Sequence, residues 1–238
     1  MQNRIFSTDS PKAIKANKFG WLNAIQYLAP SDLGGVGNLC GNASPACIAL
    51  CLGWFSGNAE LYNSVRESRI VKTRRFMHDR KAYLRDVARS IDLLQIRALK
   101  MKMALCIRLN GSSDVPWEHI KLDDGRSLLQ RFAHIQFVDY TKSVKRMLRF
   151  CAGLMPRNYN LTFSRSEINE AECYQVLKAG GNVAVVFGGK KPATFMGVPV
   201  IDGDESDLRN LDPKGVVVGL SPKGRKAKAD QLNFVVRI

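Results

Sequence analysis

Short apolar runs alternate along the chain with helical or polar stretches, and most of these runs end in a polar cluster. The run 19–28 reads as a strand and leads through Gly34-Gly-Val-Gly37 to Cys40. Ser44 and Pro45 then read as an N-cap followed by proline at the first helical position, with helix expected from Ala46 to Leu52. Across 59–101, Phe76, Tyr83, Val87, Ile91 and Leu94 return at helical intervals. That spacing predicts one long helix or a broken pair, apolar on one face and strongly basic on the other.

Further strands are expected at 105–109, 135–138, 160–163, 183–187, 198–201 and 216–220, each delivering polar residues at its end. In parallel α/β folds the ligand site lies at the carboxyl ends of the strands, so this repetition predicts an α/β protein. The expected fold is an incomplete or irregular (βα) TIM-like barrel, a single domain over 1–238 with an N-terminal arm at 1–18 and the basic helical segment 59–101 within it. Only ten residues separate Phe187 from Val198, and a sparse fourteen separate Ile201 from Val216. Parallel crossovers need a dozen or more, so the second half is expected to be irregular or partly antiparallel.

A chain of 238 residues, 45% of them hydrophobic, suffices for one substantial core. It contains no uninterrupted apolar stretch of membrane-spanning length and no signal-peptide core at its start, so a cytoplasmic protein without a membrane partner is expected. With 36 basic and 21 acidic side chains the formal charge is +15. Residues 66–102 alone hold twelve Lys/Arg against four acidic residues, a local +8. Such a segment draws polyanions, which makes nucleic acid or an acidic protein surface an expected partner, although charged helix faces are often simply solvated.

Six cysteines are too sparse for a disulfide scaffold, yet Cys40, Cys47 and Cys51 crowd into twelve residues while Cys106, Cys151 and Cys173 are scattered. On a helix Cys47 and Cys51 share a face, and the loop carrying Cys40 can fold over them. Three thiolates suit an iron–sulfur cluster with one iron left open for a substrate or cofactor. Zinc completed by His78, His119 or His134 is the alternative, and buried small hydrophobes are the bland reading.

Asp139, Lys142, Arg165 and Glu167 are the candidate catalytic residues: carboxylates for proton transfer, an ammonium, and a guanidinium able to clamp a carboxylate or phosphate. Asn110, Ser113, Asp114 and Ser164 are candidate cofactor-binding groups, although Asn-Gly-Ser-Ser-Asp is equally good turn chemistry. The small molecule or nucleotide they would position is the expected ligand.

Several stretches together resemble a phage-encoded family known as gene product eighty-eight. They are Lys15-Ala-Asn-Lys-Phe-Gly-Trp-Leu-Asn-Ala24, Asn38-Leu-Cys-Gly-Asn-Ala-Ser-Pro45 with Cys47 and Cys51, Leu109-Asn-Gly-Ser-Ser-Asp114, Phe137-Val-Asp-Tyr-Thr-Lys142, Leu161-Thr-Phe-Ser-Arg-Ser-Glu167 and Val200-Ile-Asp-Gly-Asp204. The resemblance implies expression in an infected bacterium and brings no assigned reaction. The cysteine loop after the first strand is also similar to that of radical S-adenosylmethionine enzymes, which implies a 4Fe-4S cluster and use of S-adenosylmethionine. The spacing here is Cys-x6-Cys-x3-Cys, where that superfamily usually has Cys-x3-Cys-x2-Cys.

Overall fold

The computed structural model describes residues 4–238, so the first three residues of the expected arm lie outside the described residues. The arm is built into the fold: β1 (Phe6–Ser7) is an edge strand, and α1 (Pro11–Lys15), capped by the Ser10 hydroxyl, turns the chain into β2 (Trp21–Gln26). The cysteine loop follows and carries α2 (Pro45–Ala49), with Ser44 as its N-cap. The basic segment breaks into α3 (Asn58–Leu61), α4 (Asn63–His78) and α5 (Arg80–Lys100). Asp79 makes the last break, ending α4 and capping α5 through the Ala82 N–H.

β3 (Ala104–Arg108), α6 (Leu128–Arg131), β4 (Gln136–Thr141), α7 (Val144–Cys151), β5 (Tyr159–Ser164), α8 (Glu170–Lys178) and β6 (Val183–Val186) continue the alternation. The chain closes with β7 (Thr194–Phe195), β8 (Val198–Asp202), β9 (Val217–Leu220) and α9 (Arg225–Lys228).

The nine strands form one sheet in the order β1-β2-β3-β4-β5-β6-β9-β8-β7. From β2 to β8 every neighbouring pair is parallel, while β1 and β7 pair antiparallel at the two edges. The expected barrel is corrected here, because the sheet is open and ends in those two antiparallel strands. The short links of the second half also find their reason. β8 pairs with β9 rather than β6, so the ten residues after Phe187 need only reach the β7–β8 hairpin.

Right-handed crossovers that step steadily in one direction place their helices on one face of the sheet. The run β2 to β6 does this: Leu22, Ala24, Leu105, Ile107, Phe137, Leu161, Phe163 and Val185 form one core with Tyr83, Val87 and Ile91 of α5, Met147 of α7 and Val176 of α8. The step from β8 back to β9 reverses direction, which sends its connection to the other face. There Leu208 packs on Cys106 of β3 and Val138 of β4, and buried Arg209 and Asp207 stand beside it. Helices α5, α7 and α8 thus cover one face, while the loop 203–216 and Ala16, just after α1, cover part of the other.

Candidate functional site

Side chains alternate along a strand, so the faces are assigned residue by residue. Opposite the helices, Tyr27 just beyond β2, Arg108, Tyr140, Ser164, Ala184 and Leu220 face a cavity of about 840 Å³ at the carboxyl ends of the strands. The cavity also borders β1 and α4. One end of it reaches β6 and β9, where the strand order reverses and open α/β sheets characteristically bind ligands.

Cys40, Cys47 and Cys51 all line this cavity. The Ser31 N–H donates to Cys40 Sγ at 3.3 Å, and the Gly53 backbone hydrogen-bonds Cys51. The expected helix from Ala46 to Leu52 is shorter, because Leu50 leaves helical geometry and Cys51 stands just past the end of α2. The thiols lie close enough that ionising Cys47 opposes ionisation of both others. Burial pushes Cys40 up to about 11 and Cys51 up to about 12, so both remain protonated at neutral pH unless a cation replaces the proton.

Two glycines press this wall together. A Cβ on Gly53 would run into Ser112, and one on Gly111 would stand 2.5 Å from the Gln26 carbonyl oxygen. Glu167 holds the cysteine helix: its carboxylate accepts from the Ser44 hydroxyl at 2.7 Å and from the Ala46 N–H at 2.9 Å. It lies outside the cavity lining, and its observed work is to cap α2.

Asn110, Ser113 and Asp114 border the cavity, but their polar groups are engaged by the loop itself and by β4 and α7. Asn110 Oδ1 accepts from Ser113, the Val115 N–H and Trp117, while its amide donates to Val115 and Asp139. Asp114 accepts from Thr141, the Lys142 N–H and Arg146.

Asp139 points the other way, into the helix-covered face. Its oxygens accept from the Asn110 N–H at 2.7 Å and from Tyr159 at 2.9 Å. Arg146 completes the buried network by donating to Tyr159 and forking onto Glu118. Burial pushes the Asp139 carboxyl up to about 7. It therefore does not join Lys142, Ser164 and Arg165, which do line the cavity. Lys142 Nζ sits 5.4 Å from the Phe234 ring centre. Arg165 donates to the Asn233 and Phe234 carbonyls, strapping the segment before Val235 across the mouth.

Sequence reasoning missed the cavity's own basic groups. Arg69 and Lys72 of α4 are buried, as is Arg108 in an otherwise apolar strand, where it pairs with Asp207 at 3.4 Å and lies over Tyr140. A charged residue on an alternating strand position was the available signal for Arg108. Desolvation, reinforced by neighbouring Arg69, lowers Lys72 to about 8.

No histidine lines the cavity, and among the described residues no three His, Cys, Asp or Glu side chains are grouped so as to hold a metal ion. His78, His119 and His134, named for the zinc alternative, thus do not line the cavity that the three cysteines share. Among them, too, no helix is long and apolar enough to cross a membrane.

Fold and site together define an open, mostly parallel α/β protein with a basic, cysteine-walled cavity at its strand ends. The chain belongs to the Gene product 88 family, whose profile matches residues 4–238, as its phage-family motifs led one to expect. No curated protein and no solved structure matches it.

Proposed function

We propose that Cys40, Cys47 and Cys51 hold an iron–sulfur cluster of the 4Fe-4S type against the cavity, and that the protein is an enzyme acting there on a small molecule or nucleotide. The observation that carries this reading is that three cysteines of one loop face a single cavity at the carboxyl ends of parallel strands. The donor chemistry fits a cluster better than a single ion. Backbone N–H groups reach two of the sulfurs, as they do around cluster thiolates, and a cubane spreads its ligands over several irons. The loop after the first parallel strand and the sequential strand order support the likeness to radical S-adenosylmethionine enzymes.

When bound, the cluster would supply an iron with one open position for a ligand or for electron transfer. The chain's own residues do the rest. Glu167 fixes the helix that carries Cys47, Arg165 holds the tail over the mouth, and Lys142 and Ser164 offer donors inside.

Anaerobic purification followed by iron, sulfide and zinc analysis with a visible absorption spectrum tests the proposal. Iron and sulfide are expected in the wild type and should be lost in Cys40→Ala, Cys47→Ala and Cys51→Ala. S-adenosylmethionine cleavage is then the first reaction to assay. Zinc alone, or no metal in freshly prepared wild-type protein, would overturn the cluster.

A further inference from the structure

The face of α4 turned to the cavity is polar where a core-facing helix is ordinarily apolar. Ser64, Ser68 and Lys72 stand at i, i+4 and i+8, with Arg69 beside them, and all four line the cavity. Lys72 is only 6% exposed, and its ammonium makes no hydrogen bond or ion pair among the described residues. Arg69 lies 4.6 Å from the Tyr27 ring centre and donates to the Gly53 carbonyl, which leaves most of its N–H fork without an acceptor among the described residues. The carboxylates that border the cavity are committed elsewhere, Asp9 to Arg4 and Asp114 to Arg146.

An ammonium this enclosed beside a guanidinium, with neither carboxylate of the cavity lining free to pair it, is costly to hold charged, and an anion entering the cavity would offset that cost. The group needed must accept from an ammonium, a fork and two hydroxyls, more donors than a carboxylate's two oxygens satisfy well and a suitable number for a phosphate's three. We infer that Lys72, Arg69, Ser64 and Ser68 form a phosphate subsite, and that the ligand of the cavity is a phosphorylated small molecule. This rests on the cavity being a ligand site, as proposed above, and not on the cluster.

Calorimetric titration of the anaerobically purified full chain tests it, with inorganic phosphate, AMP, ribose 5-phosphate, adenosine and acetate as probes. The phosphate-bearing probes should bind, and adenosine and acetate should not. Tighter binding of AMP than of ribose 5-phosphate would uphold the subsite and assign the source as a nucleotide; equal binding would uphold it and assign a sugar phosphate.

Lys72→Met should weaken the phosphate probes at least tenfold while melting no lower than wild type, because it removes an unpaired buried charge. Ser68→Ala should weaken them severalfold. Failure of every phosphate probe at millimolar concentration, or equal affinity in Lys72→Met, would overturn the subsite. Iron content of Lys72→Met and phosphate binding by Cys47→Ala separate the two readings, since loss of the cluster alone leaves phosphate binding intact.

Discussion

At the scale of single residues, Asp139 has the clearest measurable consequence. Its folded carboxyl titrates near 7, against an ordinary value of 3.8. Between those values the folded chain keeps a proton that the unfolded chain has released. Its contribution to stability is therefore complete below about pH 4 and is lost as pH rises through about 7. The expected result is that urea midpoints of wild type, taken relative to Asp139→Asn, fall between about pH 4 and pH 7 and level off above; parallel profiles would mean that the carboxyl is ionised throughout. Gly111 offers a second test, since a methyl there meets the Gln26 carbonyl and the Tyr27 ring. Gly111→Ala should cost about 1–3 kcal/mol through overpacking, read as a lower denaturation midpoint. Sequence reading grouped Asp139 with Lys142 at the end of β4, and the structure divides them between the two faces of the sheet. Strand alternation sends Tyr140 and Lys142 to the cavity and Asp139 to the helices, and an apolar run with no flanking polar alternation does not disclose which parity faces which layer.

At the scale of elements, α2 is a one-turn helix that depends on its ends. Ser44 caps it from within, and Glu167, brought from the far side of β5, accepts from Ser44 and the Ala46 N–H. Turning one carboxylate oxygen into an amide should leave one of those two donors unmatched and loosen the segment that carries Cys47 and Cys51. Glu167→Gln is expected to lower stability by about 1–2 kcal/mol and to reduce iron per chain, measured on the same preparation. Unchanged stability would show that the contact is dispensable. Ser44 and Pro45 were legible as a helix start because capping is local chemistry. The partnership with Glu167 was not, because it spans more than a hundred residues and a carboxylate in a polar cluster reads equally well as a catalyst or a cap. The sequential parallel strands were legible for the same local reason. Whether they close was not, because closure is decided by the pairing of edge strands, and β1 and β7 are two residues each.

At the scale of the whole molecule, the question is where a net charge of +15 goes. The segment 66–102 was expected to present a basic face to a polyanion, and several of its cations are engaged within the chain, although Arg74, Arg80, Arg85 and Arg97 stay exposed. Arg75 pairs with Asp86 and Arg85 with Asp123, Arg74 bonds the Gly34 carbonyl, and Arg97 bonds Thr8. Arg66 and Arg80 lie over Trp54 and Phe76, while Arg69 and Lys72 turn into the cavity. Lys81, Arg89, Lys100 and Lys102 have no such side-chain partner among the described residues and are the cations freest to contact a nucleic acid through this segment. Each phosphate neutralised contributes about −0.9 to the slope of log affinity against log salt, so four contacts give a slope of roughly −4. Binding of that kind weakens by about two orders of magnitude between 50 and 200 mM salt. The expected outcome of an anisotropy titration with a labelled DNA duplex is therefore weak binding at low salt that disappears near physiological salt, with charge reversal at Lys81 and Arg89 flattening the slope. A much steeper slope, or affinity that persists at physiological salt, would restore the alternative reading of a basic nucleic-acid-binding protein and move attention from the cavity to the surface.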